Sequence, residues 1–161
     1  MKTKSRSTPP RERIRFDDGW RFAFGHAADP KQDFNFGIDH GIFSKTGCEN
    51  ECVRHPTKFD DSGWRLVDLP HDWAVELPFD ENAIFHHGFK PVGRGCPATT
   101  IGWYRKSFEV PESDRGRRLT IEFDGVYRDC SAWMNGHYLG RHESGYSSFQ
   151  YDLTEYALYG Q

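Results

Sequence analysis

Long apolar runs are missing from this chain. Its 161 residues hold hydrophobic stretches of only a few residues each, whereas a membrane-spanning helix needs about 20. No membrane partner is expected. An excess of basic charge is missing too. Lys and Arg number 21 against 24 Asp and Glu, for a formal net charge of −3. The electrostatic footprint that holds nucleic acid is therefore absent, and no nucleic-acid partner is expected. The opening MKTKSRSTPPRER is basic and polar but has no apolar core, so it does not read as a signal peptide. The compartment stays open, and a periplasmic or secreted parent protein is compatible with it.

Catalytic signatures are equally scarce. There is no Gly-rich phosphate loop, no G-x-S-x-G and no metalloprotease helix motif. Strands do not alternate with helices, which excludes a catalytic barrel within this length. One Asn-Glu pair, Asn50 and Glu51, falls between two cysteines in an irregular segment. A motif counts only in its structural context, so it is read as coincidence. No catalytic residue is assigned and no cofactor is implied.

Cysteine is sparse at four residues: Cys48, Cys52, Cys96 and Cys130. An even count permits disulfides without requiring them. Cys48, Cys52 and His55 form C-x3-C-x2-H, a spacing open to zinc, but a structural site needs a fourth ligand. Free thiols are the expected state, and no metal site is assigned.

Aromatic residues, by contrast, are abundant, at 16%. That suits a β-sandwich core or a carbohydrate-facing surface. Residues 1–12 read as a disordered leader rich in Lys, Arg, Ser and Pro. In RIRFDDGWRFAFG the apolar residues Ile14, Phe16, Trp20, Phe22 and Phe24 occupy even positions, which predicts a strand interrupted by an Asp-Asp-Gly turn. Residues 26–58 are polar and without period. They read as a surface insertion packed on the sandwich flank, or else as a wall of a neighbouring cleft.

The central stretch, residues 101–140, is the most regular. Leu119, Ile121 and Phe123 alternate with Thr120 and Glu122, the period of a half-buried strand. Asn135 and Gly136 separate two short apolar runs and predict a type I′ hairpin turn. Phe149, Tyr151 and Leu153 predict one further strand. Together these readings give an all-β chain.

Several motifs carry a family resemblance. FDDGWRF, FDDSGW, RLVDLPHDW, GWYRKSF, FDGVYRD, WMNGHYLG and GYSSFQYDLTEY stand in that order. In register they resemble the N-terminal sugar-binding domain of glycoside hydrolase family 2, the β-galactosidase, β-glucuronidase and β-mannosidase relatives. The resemblance runs from about Arg13 to the last residue. It implies a jelly-roll β-sandwich of the galactose-binding-domain type over residues 13–161, here stopping before its last strands. It also implies a catalytic barrel elsewhere in a longer chain, with a β-galactoside as the first expected substrate and β-glucuronide or β-mannoside as alternatives. The competing expectation is a stand-alone carbohydrate-binding module.

Two segments invite site readings. His71 and Asp72 in LPHDW could form a proton-transfer pair. The structural alternative has Asp72 accepting backbone N–H bonds and Trp73 in the core, since neighbours on a strand point to opposite faces. Residues 80–100 form a long loop with His86, His87, Phe89 and Lys90. By the resemblance this loop reaches toward the sugar, which makes those four the candidate substrate-binding residues. The plainer expectation is a solvated loop.

Overall fold

The computed structural model describes residues 11–26, 60–92, 96 and 101–160. Their regular elements are seven β-strands and three short 3-10 turns. The strands are β1 (Trp20–Gly25), β2 (Arg65–Val67), β3 (Ile101–Arg105), β4 (Thr120–Phe123), β5 (Cys130–Met134), β6 (His137–His142) and β7 (Phe149–Asp152). β1 lies between β2 and β3, antiparallel to both; β4 pairs with β7 and β5 with β6, also antiparallel. This is the expected jelly-roll β-sandwich.

Each segment folds as its local chemistry dictates. In β4, Ile121 and Phe123 are half-buried while Thr120 and Glu122 are exposed, as strand alternation requires. Between β5 and β6, Asn135 (φ 47) and Gly136 (φ 82) are both left-handed. That backbone twists with the strands and favours Asn-Gly over any β-branched pair. The Asn135 side chain donates to the Tyr156 carbonyl at 2.7 Å, so the turn is fastened to the chain's last described turn. One residue of β6 bulges: Ala132 pairs with Gly140 and Trp133 with Tyr138, leaving Leu139 over.

The two Asp-Asp turns act as clasps. The Asp17 carbonyl accepts the Leu69 N–H at 2.9 Å, and Asp68 accepts the Gly19 N–H at 2.7 Å. Asp61 takes guanidinium groups from Arg21 of β1, at 3.4 Å, and Arg105 of β3. The core residues are Phe22, Leu77, Trp103, Val110 and Leu153. Trp103 of the three-stranded sheet meets Trp133 of the β5–β6 hairpin with ring centroids 5.9 Å apart. Large aromatic faces of this kind carry much of the burial in a small sandwich.

Two sequence expectations need correction. The opening segment is not a strand along its whole length: β1 begins only at Trp20, and Ile14 is exposed. Phe16 packs edge-on against Trp20 at 5.8 Å and Phe108 at 4.8 Å instead of extending the alternation. Gly19, at φ 68, turns the chain there. LPHDW is not a strand end either. It follows β2 and opens the 3-10 turn Trp73–Glu76, with Asp72 accepting the Ala74 N–H at 2.9 Å as the cap. Residues 26–58, apart from His26, and Cys48, Cys52, His55, Asn50 and Glu51 lie outside the described residues.

Candidate functional site

The LPHDW segment places His71 in a polar knot over Phe22. His71 Nε2 lies 2.9 Å from Glu76 Oε1, and Nδ1 lies 2.7 Å from the Tyr104 hydroxyl. With Nε2–H donating to the carboxylate, Nδ1 accepts the phenol proton. Arg65 closes the knot, donating to Glu76 Oε2 at 2.6 Å. Beneath it Phe22, 2% exposed, touches both rings at about 5 Å. The His71 side chain is only 12% exposed. Hydrogen bonds from Arg65 and His71 hold the Glu76 carboxyl below the usual range. Burial, with the charges of Asp72 and Glu76, pushes the Tyr104 phenol up to about 12. The partner of His71 is thus Glu76, not Asp72, and both its ring nitrogens are occupied. Trp73 is half-buried and lies against Gly102 of β3, where a Cβ would come within 2.6 Å of its Nε1.

The loop from Asp80 is closed at its base by the Asp80 N–H on the Phe89 carbonyl at 2.8 Å. Within it, Phe85–His87 forms a 3-10 turn ended by Gly88 in the left-handed region. Phe85, 71% exposed, meets Phe89 at 5.5 Å and His86 at 5.9 Å, both edge-on. His86 and Phe89 are exposed, and the His87 backbone lies in the turn. Lys90 differs from them. Its ammonium donates to the Val75 carbonyl at 3.2 Å and to that of Leu77, and sits 4.1 Å over the Phe79 ring. Lys90 therefore ties this loop to the Trp73–Glu76 turn, a role that sequence spacing could not reveal.

A second aromatic site, at the rim beyond β5, β6 and β7, escaped the sequence reading. Tyr127 and Tyr146 are 61% and 90% exposed, with ring centroids 5.5 Å apart and planes at 60°. Arg141 grips Asp129 through two bonds of 2.5 and 2.9 Å. The signal in the sequence was a tyrosine directly after glycine in a turn, at Gly145 and Tyr146.

Cys130 is a free thiol on β5, pushed up to about 11 chiefly by burial; this protonated thiol is a poor nucleophile. Among the described carboxyl groups whose acidity is shifted, Asp60, Glu76, Glu112 and Asp152 all move down, each mainly through side-chain hydrogen bonds.

The described elements are those of an all-β jelly roll, a fold that by itself does not fix what it binds. The chain belongs to glycoside hydrolase family 2: residues 14–161 match the family described as glycosyl hydrolases family 2, sugar binding domain. It is 38% identical over 149 residues to a β-galactosidase of Bacteroides ovatus, covering 91% of this chain and 14% of that protein. A β-glucuronidase of Formosa agariphila is 29% identical over 129 residues, covering 80% of this chain and 12% of that protein. Among solved structures, a β-glycosidase from Bacteroides vulgatus superposes with a TM-score of 0.64 at 32% identity, over 91% of this chain and 16% of that one. The chain thus spans about one seventh of the length of these relatives.

Proposed function

We propose that residues 13–161 form the non-catalytic, N-terminal sugar-binding domain of a longer hydrolase of β-glycosidic bonds, with residues 1–12 a leader outside it. A β-galactoside is the first expected substrate, supported by the 38% identity to a β-galactosidase. The observation that carries the non-catalytic role is the match of residues 14–161 to the family's sugar binding domain, over only 14% of the length of the Bacteroides ovatus β-galactosidase. A retaining glycosidase needs a pair of carboxyl groups, one acid/base and one nucleophile. The carboxyl pair is expected on a catalytic barrel in the parent chain.

Within that parent, the loop of residues 80–100 faces the cleft, with His86, His87 and Phe89 nearest the sugar. Lys90 contributes by holding the loop's base through the Val75 and Leu77 carbonyls. The exposure of His86 and Phe89 on the described part of the loop, closed between Asp80 and Phe89, supports this, since recognition residues sit on loops that a rigid scaffold positions.

The test is a pair of assays on nitrophenyl β-galactoside, β-glucuronide and β-mannoside. The purified chain alone is expected to give no turnover above blank, and the parent is expected to turn over the galactoside fastest. Turnover by the chain alone would overturn the non-catalytic role. A preference for the glucuronide would overturn the substrate assignment only.

A further inference from the structure

Tyr146 is the most exposed of the large aromatic and aliphatic side chains described, and its ring contributes almost nothing to the core. A single exposed tyrosine needs no explanation. This one, however, stands in a turn that is built stiff. At the turn's start, His142 of β6 stacks on Phe149 of β7 with centroids 4.2 Å apart, and Phe149 stacks on Phe123 at 4.8 Å. Inside the turn, Ser147 Oγ lies 3.0 Å from His142 Nε2, and the Ser144 hydroxyl accepts the Tyr146 N–H at 3.3 Å. Tyr127 then brings the Cδ2 edge of its ring against Gly145, so close that any Cβ there would overlap the ring. Asp129, two residues on, is a non-glycine residue in the left-handed region at φ 61, and Arg141 grips its carboxylate through two bonds.

The rim thus sets two tyrosine rings edge to face at 60° while most of their surface stays in water. Close to them in the sequence come the Arg141–Asp129 pair and Glu143, whose carboxylate lies 3.3 Å from Arg141. A tyrosine face is electron-rich and apolar, with a hydroxyl at its edge. The C–H face of a pyranose is apolar and slightly positive, with hydroxyls around its rim. Carboxylate and guanidinium groups give charge-assisted bonds to such hydroxyls. Rings already held in place lose little freedom on binding.

We propose that Tyr146 and Tyr127 form a stacking platform for one pyranose of a β-linked oligosaccharide, with Arg141, Asp129 and Glu143 contacting its hydroxyl groups. The proposal rests on the reading of this chain as a sugar-binding domain. It adds a recognition surface built from the segment before β5 and the turn between β6 and β7.

The experiment uses the full-length parent and, as probe, a sulfur-linked β-1,4-galactotetraose that a glycosidase does not cleave, with Kd from calorimetry and Tm measured alongside. Tyr146→Ala is expected to weaken binding roughly three- to tenfold, the worth of one aromatic contact, with Tm unchanged. Tyr146→Phe is expected to retain binding, because the face and not the hydroxyl stacks. Gly145→Ala, which displaces the Tyr127 ring, is expected to weaken binding as well. An unchanged Kd in Tyr146→Ala, or no measurable binding by the wild type, would overturn the platform. A lowered Tm with unchanged Kd would assign the rings to packing against the rest of the parent chain, and that too would overturn it. Turnover of nitrophenyl β-galactoside by the same preparations is scored separately. Its absence would remove the assignment of the parent's activity without touching the binding result.

Discussion

Two ends of this sandwich use the same residue types in opposite ways. At the LPHDW end, a histidine, a tyrosine, an arginine and a glutamate satisfy one another over Phe22. Both ring nitrogens of His71 and the Tyr104 hydroxyl are occupied. At the rim beyond β6, Tyr127 and Tyr146 keep most of their surface in water while the backbone beneath them is pinned. A histidine-carboxylate contact suggests catalysis on paper, yet here it closes a scaffold. Exposed tyrosines look unremarkable in the sequence, yet here they are held ready. Which side chains remain unsatisfied is more informative than which side chains are present.

The comparison can be broken most forcefully at its closed end. Phe22→Ala removes the floor under His71 and Tyr104 and is expected to cost about 3–5 kcal/mol. Chemical denaturation checks it, and a loss below about 1 kcal/mol would mean that the knot does not depend on its apolar floor. His71→Ala leaves the Tyr104 hydroxyl and the Glu76 carboxylate each short of a partner and is expected to cost about 1–3 kcal/mol.

Titration sharpens the same contrast. Glu76 has a lowered pKa in the folded chain, so the unfolded chain takes up the proton first on acidification. The stability it contributes is present above the ordinary glutamate range near 4.3 and is lost as pH falls below it. Glu76→Gln is expected to flatten that limb of the curve. Tyr104 has the opposite sign. Its phenol ionises near 10 when unfolded and at about 12 when folded, so its stabilisation is complete below pH 10 and is lost between about 10 and 12. Tyr104→Phe removes that alkaline loss. Thermal melts across pH read both limbs.

Gly136→Val strains the β5–β6 turn by roughly 1–3 kcal/mol, with Ser5→Val as the leader control; equal melting midpoints would argue against the turn. The smallest effect belongs to the open rim. Tyr146→Ala is expected to change stability by less than about 0.5 kcal/mol.

Much of the fold was legible because its determinants are local. Period-two alternation marked β4 and β7, and Asn135 with Gly136 marked the hairpin that joins β5 to β6. In the opening segment the Asp-Asp-Gly turn was legible and stands at Gly19, but the residues before it do not form a strand: Phe16 packs edge-on against Trp20. The His71 site was half legible. The residue stood out, but its partners Glu76 and Tyr104 come from a 3-10 turn and from β3, and pairing across 33 residues leaves no trace in local spacing. The contact of the Lys90 ammonium with two backbone carbonyls was likewise not legible, since those carbonyls lie 13 and 15 residues away in the sequence. The tyrosine rim was not legible, since exposure and ring-on-backbone contact depend on how β6 and β7 are set side by side.

The most direct test applies one substitution to both ends of the full-length parent: Tyr104→Ala and Tyr146→Ala, each measured for Tm and for the Kd of the sulfur-linked galactotetraose. The closed-scaffold, open-rim account predicts a clear fall in Tm with nearly constant Kd for the first. For the second it predicts a constant Tm with Kd weakened roughly three- to tenfold. The crossed result, a stable protein with lost binding from Tyr104→Ala and an unstable one with intact binding from Tyr146→Ala, would contradict it.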